Sequence, residues 1–147
     1  MQPSLPRILI ADDNPQGVEL LEAYLGENEY AIRTAADGEE TLEVVKQWHP
    51  DLILLDIMMP KLSGFEVCKR LRADPATRET AVLMVTALDQ PSDIDRAVEA
   101  GTNDFLTKPI NKSELLLRVR SLLKTRQYKR DLDRALAYIE AVERGER

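Results

Sequence analysis

The chain has 147 residues (16.7 kDa), 44% hydrophobic and 31% charged, the arithmetic of one soluble globular domain rather than a disordered chain. Twenty basic against 26 acidic residues give a net charge of −6, which argues against direct nucleic-acid binding, because phosphates need a basic surface. A single cysteine, Cys68, and a single histidine, His49, exclude an internal disulfide and a Cys/His zinc cluster, and no apolar run approaches the ~20 residues of a membrane span.

In chain order, Arg7 to Ala11 (RILIA) reads as a short buried strand ending at two aspartates. Asn14-Pro15 supplies an N-cap and a first-turn proline for a helix whose stripe is Val18, Leu21 and Leu25. Tyr30 to Thr34 is a second, more polar strand, suited to a sheet edge. Asp37 with Glu40 opens a second helix, with Leu42, Val45 and Trp48 turned inward. Asp51 to Leu55 (DLILL) is the most apolar strand and belongs at the sheet centre, with Asp56 directly after it. Ser63 and Glu66 form a capping-box pattern for a helix carrying Phe65, Cys68 and Leu71. Ala81 to Val85 is a fourth strand ending at Thr86. Asp89 to Ala100 is a fourth helix, with Ile94, Ala97 and Val98 inward and Gly101 at its C-terminal turn. Asn103 to Leu106 is a brief fifth strand, and Asn111 with Glu114 opens a fifth helix through Leu115, Val119, Leu122 and Leu123.

Five strand–helix units predict an α/β fold: a (βα)5, doubly wound, parallel five-stranded sheet. In such sheets ligands sit outside the carboxyl ends of the strands. Asp12 and Asp13 follow the first strand, Asp56 the third, Thr86 the fourth and Lys108 the fifth. Each residue alone is an ordinary cap, turn or solvated loop residue. Their joint placement is what points to a site. Three converging carboxylates repel one another unless a cation joins them, and an all-oxygen set suits a hard ion such as Mg²⁺. A lysine opposite them can pair with Asp56 or with anionic ligand oxygens, and a threonine hydroxyl can donate to a phosphoryl oxygen. Asp56 is suited to be the acceptor in phosphoryl transfer through an aspartyl phosphate.

The blocks ILIADDN, DLILLDIMMPKLSGFEVCKRLR, VLMVTAL and AVEAGTNDFLTKP, in this order, resemble the response-regulator receiver domain, the CheY-like module of two-component signalling, from about Arg7 to Leu123. The resemblance implies a flavodoxin/CheY-like sheet of strand order 2-1-3-4-5. It also implies Asp56 as phosphoacceptor, and Asp12, Asp13, Asp56 and the Met58 backbone carbonyl as ligands of Mg²⁺, for which Mn²⁺ can substitute. Thr86 becomes the switch hydroxyl, Lys108 the phosphoryl-contacting cation, and Lys108-Pro109 a cis peptide. Phe105 stands where the family usually has an aromatic switch, often tyrosine; lacking a hydroxyl, it can couple to Thr86 only by packing. Met58 and Leu88 occupy the positions that in this family tune the attacking water. Both are apolar here, which predicts slow autodephosphorylation. Pro60 and Gly64 shape the loop after Asp56, while His49 belongs to the opposite end of the sheet.

The resemblance covers residues 1–123 as a receiver unit, and residues 124–147 form a helical extension. Tyr128, Leu132, Ala135, Ile139 and Val142 step by four and three, a heptad seam that predicts either a dimerising signalling helix or a helix packed back on its own receiver. The functional expectation is a cytoplasmic, regulatory phosphoacceptor, not an enzyme. A histidine kinase or histidine phosphotransfer protein would charge Asp56 and so bias a surface formed by the fourth helix, fifth strand and fifth helix, with a homodimer through that surface and the extension. The competing readings are a constitutively dimerising scaffold and an aspartate-nucleophile phosphatase. The latter is weakened because Ile57-Met58 replaces the D-x-D acid after Asp56.

Overall fold

The computed structural model describes residues 4–145, so the outermost positions of both proposed units, 1–3 and 146–147, lie outside the described residues. Strands β1 (Arg7–Ala11), β2 (Ala31–Ala35), β3 (Leu52–Leu55), β4 (Ala81–Thr86) and β5 (Asp104–Thr107) alternate with helices α1 (Pro15–Leu25), α2 (Gly38–Trp48), α3 (Gly64–Ala73), α4 (Pro91–Ala100) and α5 (Lys112–Glu143). All strand pairs are parallel and the order is β2-β1-β3-β4-β5. This is the flavodoxin/CheY-like arrangement with a prolonged C-terminal helix.

The period-2 alternation of strand side chains divides the core in two. Leu9, Ile53, Leu55, Val82 and Met84 face one side, with Val45, Phe65, Val67, Leu71 and Ala97 of α2, α3 and α4. Ile8, Ile10, Leu52, Leu54 and Leu83 face the other, with Leu21, Leu25, Leu115 and Val119 of α1 and α5. β3 and β4 are buried along their whole length, whereas β2, at the edge, exposes Arg33 and Thr34.

Several boundaries differ from the sequence reading for definable reasons. β2 begins at Ala31 because the Tyr30 amide is used in a turn with the Asn28 carbonyl, and the Ala31 amide is the first to bond across, to Pro6. α4 begins at Pro91 rather than Asp89. Proline disfavours a helical residue before it and is suited to the first helical position, so Gln90 stays extended as the cap. Ile94 and Val98 are exposed, not inward; the face of α4 that packs is the small one, Ala97 and Ala100. Ser63 caps α3 through the Glu66 amide, but the Glu66 carboxylate turns to Arg70 instead of back to the cap.

The last helix, α5, is 32 residues long. Its inward face, Leu115 and Val119, is fully buried, with Leu122 and Leu123 half-buried beyond. The seam residues Tyr128, Leu132, Ala135, Ile139 and Val142 are all exposed. At about 100° per residue they lie roughly half a turn around the helix from the packed face. The extension is therefore not folded back through its seam; it leaves the body as a continuous helix.

Candidate functional site

The carboxyl edge of the sheet is built by backbone bonds that continue the ladder one step past the strands. The Asp12 amide donates to the Ala35 carbonyl at 3.0 Å, Asp56 to Ala11 at 2.9 Å and Lys108 to Thr86 at 2.8 Å. Three side chains far apart in sequence are thereby fixed at one edge. Asp12, Asp13 and Asp56 each offer a carboxylate oxygen within 4.8 Å of the others, with Asp12 and Asp56 buried and Asp13 exposed.

Lys108 Nζ answers this charge, donating to Asp12 Oδ2 at 2.8 Å and to Asp56 Oδ2 at 3.2 Å. Burial alone would lower the lysine pKa. The hydrogen bond to Asp12 and the charges of Asp56 and Asp12 outweigh it, and the ammonium is held above its ordinary value. The remaining oxygens are oriented by main chain: Asn14 N–H donates to Asp12 Oδ1 at 2.9 Å, and Met58 N–H to Asp56 Oδ1 at 3.1 Å. Asn14 in turn caps α1 by accepting from Gln16 and Gly17. The donor set is oxygen only and carries three negative charges against one ammonium, a composition that fits a hard divalent ion such as Mg²⁺.

Thr86 closes β4 fully buried, and its hydroxyl accepts the Leu88 amide at 3.4 Å. Phe105 is half-buried on β5 and, like Leu88, packs against the core on the α3–α4 side. The Lys108–Pro109 peptide is cis. Met58 is 60% exposed, and together with Asp13 and Leu88 it lines an open cavity of about 460 Å³ beside the carboxylates. Cys68 is fully buried, where burial raises its thiol pKa. His49 lies before β3, at the far end of the sheet, as the left-handed cap of α2 (φ 52°).

Gly17 and Arg96 shape the site without having stood out in the sequence, and Gly64 does more than shape a loop. A Cβ on Gly17 would lie 2.9 Å from Asp12 Oδ2, so the missing side chain leaves room for the Asp12–Lys108 contact. A Cβ on Gly64 would meet the Asp56 carbonyl oxygen at 2.4 Å, so this glycine lets α3 start against the end of β3. Arg96 of α4 stacks over the Phe65 ring at 4.1 Å and lines the same cavity as Met58 and Leu88. Gly64 is legible in the sequence as a loop-shaping residue, whereas Gly17 lies within the first turn of α1 and carries no signal of its own. The Arg96 contact spans two helices and leaves no local pattern.

The family model described as the response regulator receiver domain matches residues 8–120. The chain belongs to the response regulator receiver domain family. It is 48% identical over 116 residues to the response regulator PleD of Caulobacter vibrioides, covering 79% of this chain and 26% of that protein. It is 45% identical over 120 residues to the DNA-binding dual master transcriptional regulator RpaA of a Synechocystis strain, covering 82% of this chain and 50% of the relative. Among solved structures, the receiver domain of a signal transduction histidine kinase from Syntrophus aciditrophicus superposes with a TM-score of 0.77 at 34% identity, covering 82% of this chain and 91% of that one. The chain thus spans between a quarter and a half of the length of these curated relatives. Receiver domains are regulatory units of two-component phosphorelays. No helix among the described residues is long and apolar enough to cross a membrane.

Proposed function

We propose that this receiver accepts a phosphoryl group on Asp56 from a histidine kinase or histidine phosphotransfer protein in the cytoplasm. The observation that carries the reading is the Lys108 ammonium held between Asp12 and Asp56 at 2.8 and 3.2 Å, inside a cluster of three carboxylates. An Asp56 carboxylate oxygen attacks phosphorus, the phosphorus–nitrogen bond of the donor breaks, and an acyl phosphate results. Asp12, Asp13, Asp56 and the Met58 carbonyl would hold Mg²⁺ (or Mn²⁺), which supplies charge neutralisation for the transferring group. Lys108 holds the Asp56 carboxylate in place before transfer and is then free to pair with a phosphoryl oxygen. Thr86, at the end of β4, is placed to donate its hydroxyl to the same group. Phe105 follows by packing, and through these two residues α4, β5 and α5 form the responding surface.

The apolar Met58 and Leu88 cannot hydrogen-bond an attacking water, so the acyl phosphate is long-lived. Decay measured for Met58→Asn with Leu88→Glu should be faster than for the natural chain; an equal lifetime would refute the assignment. The chain acts on no substrate beyond its own Asp56 and works as a switch rather than as an enzyme. Its direct partner is protein rather than nucleic acid; whatever output the longer relatives control belongs to the part of them this chain does not span.

We assign residues 1–123 to the receiver and 124–147 to a signalling arm that pairs in a homodimer. Tyr128, Leu132, Ile139 and Val142 expose between 50 and 69% of their surface on the face opposite the packed one, which supports pairing with a second copy. The same exposure favours, as the second reading, a constitutive dimer. Incubation with a small phosphodonor and Mg²⁺, followed by intact mass and oligomer size, separates the two. The phosphoacceptor reading expects a one-phosphoryl mass increase that is absent in Asp56→Ala. A dimer of unchanged size with no mass increase would establish the scaffold instead.

A further inference from the structure

The end of the sheet opposite the carboxylates holds a second concentration of charge, of the other sign. An open cavity of about 620 Å³ lies where the residues before β1, the start of β3 and the root of the α5 extension meet. Its lining includes Arg7, Lys124, Arg126 and Arg130, with Asp51 as the one acidic residue. That is four cations against one anion in a chain whose total charge is −6.

Both oxygens of Asp51 are engaged. Its Oδ2 accepts the Arg7 amide at 2.8 Å, while Oδ1 is shared between Arg130 at 3.1 Å and Arg126 at 3.6 Å. Arg7 points its guanidinium at the Trp48 carbonyl and lies over the Trp48 ring at 5.6 Å, with no carboxylate paired to it among the described residues. The Nε of Arg126, the atom that faces Asp51 at 3.6 Å, is buried without a hydrogen-bond acceptor among the described residues, while another nitrogen of the same guanidinium donates to the Glu79 carbonyl. Burial first, and next the Arg130 charge, hold Arg126 below the ordinary arginine pKa against the opposing charges of Asp51 and Glu79. Lys124 has no ion-pair partner among the described residues. Guanidinium forks around a concave site whose single carboxylate they must share are matched by a small oxyanion, because planar forks bind phosphate oxygens in pairs.

We propose that this basal cavity binds a small phosphate-bearing anion, held by Lys124, Arg126 and Arg130 of α5 together with Arg7 of β1. Such a ligand joins the root of the signalling arm to the body of the receiver, at the end of the sheet remote from Asp56. The site stands on its own residues and does not depend on the phosphoacceptor reading.

The test is calorimetric titration of the whole chain with inorganic pyrophosphate, at low ionic strength and after removal of divalent ions, so that the carboxylate site recruits no probe. One saturable site per chain is expected. Lys124→Glu and Arg130→Gln should each weaken binding by about tenfold. Asp56→Asn should leave it unchanged. Asp51→Asn, which removes the competing anion, should tighten it by a few-fold. A parallel titration with ADP distinguishes the source of the phosphate: tighter binding than pyrophosphate assigns the cavity to a nucleotide, equal binding to the anion alone. Absence of saturable binding, or an unchanged affinity in Lys124→Glu with native helix content, would overturn the proposal. Equal weakening by Asp56→Asn would do so too, since it would place the probe at the other end.

Discussion

The two ends of the parallel sheet are electrostatic inverses. At the carboxyl end three carboxylates face one ammonium, and at the amino end two guanidiniums from α5 face one carboxylate, Asp51. The upper cluster is built on buried positions next to fully buried strands, with Lys108 reaching in at 26% side-chain exposure. The lower cluster is wetter at two of its three members, Asp51 at the rim with 20% and Arg130 with 44% side-chain exposure, whereas the Nε of Arg126 is buried. The same charge arithmetic therefore carries different energies. A charge left unpaired in the drier upper site costs several-fold more than one left in water at the lower rim. The difference also separates two tasks. The upper cluster is short of positive charge and suited to recruit a cation and a phosphoryl group. The lower one ties a long helix to the body.

Substitution at the two ends tests this asymmetry, beginning with the larger effect. Lys108→Ala leaves Asp12 and Asp56 facing each other without a counter-charge and should lower unfolding free energy by about 3 kcal/mol in Mg²⁺-free buffer. Added Mg²⁺ should restore most of that loss, because the ion takes over the missing charge. Denaturant titrations with and without Mg²⁺ measure both, and a variant as stable as the natural chain without the ion would show that the upper site tolerates unpaired charge. Asp51→Asn at the other end removes the partner of Arg126 and Arg130, and there the expected loss is about 1 kcal/mol, insensitive to Mg²⁺. A loss as large as that of Lys108→Ala would mean that the rim is as dry as the upper site.

The smallest effect is a matter of pH. Glu79 pairs with Lys129 on the α5 extension; the hydrogen bond from Lys129 and its charge hold the Glu79 pKa below the usual glutamate value. A carboxylate whose folded pKa is depressed stabilises the fold above its unfolded pKa and loses that contribution as pH falls through the folded value. Acidification below the ordinary glutamate range should therefore loosen the root of the arm while leaving the sheet intact. The contribution is that of an exposed pair, under about 1 kcal/mol. Hydrogen exchange of α5 residues around Lys129, measured across that range, checks it. Faster exchange at higher pH, after correction for the intrinsic rate, would reverse the predicted sign.

Much of this was legible in the chain, and the reason is local. Strand periodicity and caps such as Asn14 and Ser63 mark the elements, and residues directly after four apolar runs must share one sheet edge once the sheet is parallel. Asp12, Asp56, Thr86 and Lys108 are brought together by that rule alone. What stayed hidden depends on contacts with no period. Arg72 donates to the Gly101, Arg78 and Thr80 carbonyls and to Asn103, bracing the loop before β4 against the turn before β5, yet in sequence it is one more basic residue at the end of α3. Arg126 and Arg130 meet Asp51 across more than 70 positions. Ile94 and Val98 mislead in the opposite way: their helical spacing is that of a core face, but the neighbouring elements reach only Ala97 and Ala100. Apolar spacing reports what a helix can bury. Only the packed partner decides what it does bury.

We propose that the acyl phosphate forms on Asp56 and nowhere else. The direct measurement is phosphorylation with a small phosphodonor and Mg²⁺, reductive trapping of the acyl phosphate with borohydride, and peptide mapping of the modified residue. Trapping is expected at Asp56 alone, with no modification in Asp56→Ala. Modification at Asp12 or Asp13, or an Asp56→Ala chain that still takes up the phosphoryl group, would contradict that assignment.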